Sequence, residues 1–155
     1  MRAPDARTIE STLHFGIDYN SVMDTPALPE DVRRFVLTSI PSVPFLEALL
    51  LLRSHPAAGW DRYTLARRLY VAERAAETLL ADLAAAGMVV RAAGGDGAAV
   101  PAYRYGPVDG ALAARIDRLA DAYARQLVEI TVLIHSSLDR KAQRFADAFK
   151  WRKDS

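Results

Sequence analysis

The run Leu65-Ala66-Arg67-Arg68-Leu69-Tyr70-Val71, followed by Leu79-Leu80-Ala81-Asp82-Leu83-Ala84-Ala85-Ala86-Gly87-Met88-Val89, decides how this chain folds. Each half carries apolar residues three and four apart, the period of one buried helix face. Asp61 stands before the first half as an N-cap, which predicts a helix over 62–69. The short turn Tyr70-Val71-Ala72 leads to a second helix over 73–86, with Ala76, Leu79, Leu80 and Leu83 facing inward. Gly87 occupies the place of a left-handed helix end. Two helices joined by so short a turn read as a helix-turn-helix. Small Ala66 lets the second helix cross closely over the first, and Leu69, Val71, Leu80 and Leu83 plug the angle between them.

Downstream, Met88–Arg91 reads as a strand and Gly94-Gly95-Asp96-Gly97 as a turn containing the hairpin-favouring Asp-Gly pair. Val100–Tyr105 is the returning strand, with Pro101 suited to an exposed edge. Upstream, Pro29-Glu30-Asp31 opens a helix that runs to about Ile40, with the acids at its positive dipole end. Pro41 stops it. Ser42 caps the next helix, whose Phe45, Leu46, Leu49, Leu50 and Leu52 are apolar on nearly every side, as for a helix in the middle of a core. Residues 1–27 are polar, and Leu13, Phe15, Ile17 and Tyr19 alternate with polar positions. That stretch reads equally as a half-buried strand or as part of a mobile arm. The organisation expected is an arm over 1–27, a winged helix-turn-helix domain over 28–107, and a long C-terminal helix with a basic tail over 108–155. The fold class is mainly α with a small β-hairpin wing.

Over roughly residues 42–106 the quoted pattern resembles the winged helix-turn-helix transcriptional regulators of bacteria, of the MarR- and PadR-like groups. Leu-Ala-x-x-Leu, a tight turn ending in an apolar residue, and Leu-Leu-x-x-Leu-x-x-x-Gly-Met-Val match without gaps. The resemblance implies a homodimer that reads double-stranded DNA at a palindromic operator with the helix over 73–86. A small-molecule effector would sit between domain and dimer helix. Two departures stand out. Tyr70 occupies the turn where the family commonly has Gly, and the outer face of the second helix is acidic where the family places Ser, Thr, Gln and Arg. The wing tip also carries an acid, Asp96.

The candidate DNA-binding residues are Arg62, Arg67, Arg68, Glu73, Arg74, Glu77, Thr78 and Arg91. Arg74 suits guanine O6 and N7, Thr78 a base edge or thymine methyl, and a Glu accepts from cytosine N4. Arg62, Arg67, Arg68 and Arg91 suit phosphates, although on a solvated helix face the same charges need no partner. Over 61–106, six Arg face five acids, a weak footprint for a phosphate-lined groove. Two functions therefore stand side by side. One is a dimeric transcriptional regulator; the other is a winged-helix dimer that docks a protein partner without binding DNA.

From 109 to 149 the only helix breaker is Gly110, in the first turn, so one long helix is expected. Leu112, Tyr123, Ile134 and Phe145 recur every eleven positions, as do Ile116, Leu127, Leu138 and Phe149, with Leu119 and Ile130 as a third pair. Eleven residues at 3.67 per turn make a nearly straight seam. These ten residues are the candidate dimer interface; the alternative is a fold-back within one chain near Ser136-Ser137. The end of this helix mixes aromatics and cations from Arg144 to Lys153, which reads as a dimer clasp with a basic rim.

Composition narrows the rest. About half the residues are hydrophobic (51%) and a quarter charged (25%), which fits a packed domain. There is no cysteine, which excludes disulfides, thiolate nucleophiles and Cys-ligated zinc and suits a reducing cytoplasm. Heavy use of Ala and Arg points to a GC-rich bacterial genome. The N-terminus lacks a signal-peptide core, and the longest apolar run, Ala48–Leu52, is far short of a membrane span, so a cytoplasmic protein without a membrane partner is expected. Net charge is +1, with six acids against two Arg over 1–31 and six cations against three acids over 139–155. His14, His55 and His135 lie in unrelated segments without ligand spacing, so no metal is expected. The Gly94–Gly97 turn lacks a Walker lysine, and no catalytic constellation or cofactor motif is present, so an enzyme is not expected.

Overall fold

The structure is a computed structural model that describes residues 27–93 and 100–153, side chains of 151–153 excepted. The alternating stretch Leu13–Tyr19, the wing turn Gly94–Gly97 and the side chains at the tip of the basic tail lie outside the described residues.

Among the described residues six helices and a two-stranded antiparallel sheet follow in order: α1 (Glu30–Ser39), α2 (Val43–Ser54), α3 (Arg62–Leu69), α4 (Glu73–Ala85), β1 (Val89–Arg91), β2 (Tyr103–Tyr105), α5 (Gly110–Arg125) and α6 (Leu127–Lys153). The chain is a winged helix-turn-helix protein, mainly α with a small β-hairpin. Helix α2 lies at its centre, packed against α3, α4 and β2, with Leu46, Ala48, Leu49 and Leu52 fully buried. Each buried Leu or Phe there contributes about 1.5–3 kcal/mol by leaving water. No single helix among the described residues is long and apolar enough to cross a membrane. Together α1 and α2 have the composition for it, but they meet at 110° and their apolar residues fill the core.

Ser42 and Asp61 cap their helices as the sequence indicates, and Asp109 is a further cap that the sequence reading did not name. Ser42 Oγ accepts from the Phe45 N–H at 3.2 Å, and Asp109 Oδ1 from the Leu112 N–H at 2.7 Å. At α3 a full capping box closes: Asp61 Oδ1 accepts from the Thr64 N–H at 2.9 Å, while Thr64 Oγ1 accepts from the Asp61 N–H at 3.0 Å.

Helices α3 and α4 end alike. At α4 the Met88 N–H reaches Leu83 O (3.1 Å) and the Gly87 N–H reaches Ala84 O (3.0 Å), with Gly87 at φ 72°. At α3 the Val71 N–H reaches Ala66 O (3.1 Å), and the residue in the left-handed position is Tyr70, at φ 57°, ψ 42°.

In the wing, Val89 pairs with Tyr105, Val90 with Arg104 and Arg91 with Tyr103. The returning strand is shorter than expected, starting at Tyr103 and not at Val100. A third strand position, absent from the sequence reading, comes from Trp60, which exchanges two backbone bonds with Tyr103 (2.7 and 2.9 Å). The loop after α2 is thereby tied to the wing.

The long C-terminal helix departs from expectation. It is two helices, broken at Gln126, whose φ −132°, ψ 49° is not helical. The break keeps its hydrogen bonds at the junction. The Gln126 N–H completes α5 on Ala122 O (2.7 Å), and the Gln126 carbonyl starts α6 by accepting from the Ile130 N–H (3.2 Å). Helix α1 packs across both segments, burying Val32, Phe35 and Val36, and Asp31 pairs with Arg118 of α5 at 2.7 Å.

The eleven-residue stripe is therefore divided. Ile116, Leu119, Ile130 and Ile134 are fully buried within the chain itself, and Leu112 and Tyr123 are half-buried against the same core. Leu127, Leu138, Phe145 and Phe149 remain exposed. Across Gln126, Leu119 and Ile130 stay on the buried side, as do Tyr123 and Ile134, whereas Ile116 is buried and Leu127 exposed; α1 packs on the inner face of both segments.

Candidate nucleic-acid interface

Helix α4 turns Ala76, Leu79, Leu80 and Leu83 into the core and leaves Glu73, Arg74, Glu77, Thr78 and Asp82 in solvent. Its first turn has no side-chain cap, because Ala72 precedes it, so its leading N–H groups are unclaimed by a capping side chain. Arg74 is exposed and makes no side-chain hydrogen bond or ion pair among the described residues. Thr78 Oγ1 donates back to Arg74 O at 3.1 Å, which leaves its oxygen lone pairs as acceptors.

The acidic face is less acidic than its sequence. Arg62, the first residue of α3, reaches across to α4, where its Nη1 donates to Glu77 Oε2 at 3.2 Å. Its Nη2 donates to the Tyr63 hydroxyl at 2.8 Å, and its guanidinium lies 4.9 Å from the Tyr63 ring centre. The Tyr63 hydrogen bond first, and then the Glu77 bond, hold the Arg62 pKa above its ordinary value. Arg62 is thus engaged with Glu77, where the sequence suggested a free phosphate ligand. Its charge offsets one carboxylate of the α4 face, leaving Glu73 and Asp82 against Arg74.

Arg67 and Arg68 sit in the last turn of α3, exposed and without an ion-pair partner among the described residues. Arg91, on β1, is exposed and lies 5.9 Å from the Tyr103 ring centre. Arg67, Arg68, Tyr70 and Arg74 thus flank the turn between α3 and α4, while Arg91 belongs to the wing. Sequence reading missed Tyr63 as a holder of Arg62, since neighbours in a helix do not normally face each other. Among the described residues no group of three or more His, Asp or Glu is placed to hold a metal ion.

Among solved structures the chain is similar to RV1404 from Mycobacterium tuberculosis, with 14% identity over 96% of this chain and 97% of that one, at a TM-score of 0.48. It is also similar to a mutant of S. aureus MepR bound to an oligodeoxyribonucleotide (12% identity, 89% and 98% covered, TM-score 0.47). A third is the heme sensor protein PefR from Streptococcus agalactiae in complex with heme (14% identity, 96% and 95% covered, TM-score 0.48). These are likenesses of chain architecture. The chain matches no protein-family description and no curated protein sequence.

Proposed function

We propose that this chain is a dimeric DNA-binding transcriptional regulator that reads a palindromic operator with α4. The observation that carries the reading is the cluster at the α3–α4 turn. Three exposed arginines with no acidic partner among the described residues, Arg67 and Arg68 in the last turn of α3 and Arg74 in the first turn of α4, flank the turn that leads into the helix a helix-turn-helix inserts into the major groove. The Arg62–Glu77 pair removes one carboxylate from that approach.

The dimer rests on α6. From Leu138 to Lys150 every residue is exposed among the described residues, so none of them buries this end of the helix. It nevertheless presents Leu138, Phe145 and Phe149, the two phenylalanine rings 4.9 Å apart. A second copy supplies the missing cover. For a small-molecule effector the reading favours a cleft of about 420 Å³ beside the Gln126 break, lined by Val32, Arg118, Asp121, Ala122 and Arg125 among others. A ligand there lies between the start of α1 and α5, beside the Gln126 break, where it bears on the angle between α5 and α6.

Selection from a random pool of duplexes tests the function. An enriched palindromic sequence is the expected result; no enrichment at low salt refutes it and leaves a protein-docking role. On the enriched site, Arg74→Ala should cost about 1–3 kcal/mol and relax preference at one position per half-site. Arg67→Ala and Arg68→Ala should weaken all sequences alike and flatten the salt dependence. Equal binding by Arg74→Ala would place the reading face elsewhere.

A further inference from the structure

Tyr70 occupies the position in this fold where a tyrosine is hardest to justify by packing. Its backbone is left-handed, a conformation that crowds the Cβ of any residue but glycine. Its side chain is 95% exposed, so burial returns nothing for that strain. The same closure at the end of α4 uses Gly87. Strained residues that the packing does not need collect at functional positions.

The surroundings of Tyr70 indicate the ligand. The last turn of α3, just before it, carries Arg67 and Arg68, and the first turn of α4, just after it, carries Arg74. All three are exposed, and no acid within the described residues pairs with them. In a helix-turn-helix the turn before the recognition helix stands at the lip of the major groove, beside the sugar-phosphate backbone.

We infer that Tyr70 is a DNA-backbone contact: its hydroxyl donates a hydrogen bond to a phosphate oxygen at the groove lip and so fixes the register of α4. The inference rests on the DNA-binding reading above. A neutral phenol gives the contact a signature that an arginine lacks. It adds affinity without displacing a counterion, so its removal leaves the slope of affinity against salt unchanged.

Three variants of the full chain, Tyr70→Phe, Tyr70→Gly and Tyr70→Asn, test it on the duplex enriched by selection. Affinity is measured across a salt series beside thermal stability. Asn and Gly both accept the left-handed backbone, so neither variant is put at risk of unfolding by the turn. All three should bind about fivefold more weakly than wild type, the equivalent of about 1 kcal/mol for one hydrogen bond. Their salt slope should equal that of wild type, whereas Arg67→Ala should lower it by about one ion. Tyr70→Gly should melt no lower than wild type. Wild-type affinity in Tyr70→Phe overturns the inference. So does a loss of affinity in Tyr70→Gly and Tyr70→Asn that merely tracks a fall in melting temperature, which would mark a structural role. If wild type itself binds no duplex, the DNA reading has failed and this contact with it.

Discussion

Gly87 and Tyr70 meet one backbone demand with opposite means. Gly87 has φ 72°, and a Cβ placed there would lie 3.3 Å from a Val108 methyl. Gly87→Ala should therefore cost about 1–2 kcal/mol from the left-handed backbone, with the Val108 contact adding to it. A denaturant midpoint left where it was would show that the α4 closure relaxes freely. Two phenols respond to alkali. Burial, and then the Asp117 charge, raise the Tyr105 pKa; burial, and then Glu47, raise that of Tyr123. Because the folded values lie above the ordinary phenol value of about 10, the stability these groups contribute is complete below that pH. It is lost as pH rises through the folded values. Phenolate absorbance and unfolding followed together should show the melting temperature falling above about pH 10, in step with late phenolate formation. A flat melting temperature there would place both hydroxyls in water.

Whether an element was legible in the sequence depended on how local its causes are. The α3 and α4 helices, the Asp61 cap and the glycine stop are set by residues within a few positions of one another, and all are where the spacing put them to within a residue. The break at Gln126 is not of that kind. No proline or glycine marks it, and the polar groups of the junction stay bonded, so the chain loses little locally by bending. What fixes the bend is α1, some ninety residues earlier, which packs on both segments. The Trp60 strand was hidden for the same reason, since its partner Tyr103 is distant in sequence. On the candidate face the pairing was not readable: Arg62 and Glu77 were both singled out, and nothing in their spacing told that they meet. The divided stripe yields a test of elements. Ile130→Asp places a charge in the chain's own core and should unfold the protein. Leu138→Asp with Phe145→Asp should leave secondary structure intact and give monomers by light scattering. A dimer that survives the double substitution would mean that another surface holds the copies together.

At the scale of the molecule, the division drawn along the sequence and the division made by packing differ. By sequence, α1 precedes the helix-turn-helix and would belong with it. By packing, its principal partners are α5 and α6 on the far side of the wing. The head formed by α2 to β2 is thus held in a bracket made from both ends of the described chain, with Asp31 and Arg118 as one of its fastenings. A chain cut after Asp109 keeps the head but strips Val32, Phe35 and Val36 of their cover. Such a fragment should bind a hydrophobic dye that the intact protein excludes; equal dye binding by the two would show that α1 finds other cover.

The bracket also orders events during synthesis. Contacts between residues close in sequence form at low entropic cost, and distant ones wait on loop closure. Helices α2 to α4 and the hairpin complete one another within a short stretch, so they can assemble while the chain is still growing. Helix α1 leaves the ribosome before all of them and is the last to be satisfied. At roughly 5–20 residues per second of translation, its apolar face stays open for several seconds, until the segment carrying Ile116, Leu119, Ile130 and Ile134 arrives. For that interval the stretch from Val32 to Ile40 holds an apolar face without its cover, and a holding chaperone has a defined target there.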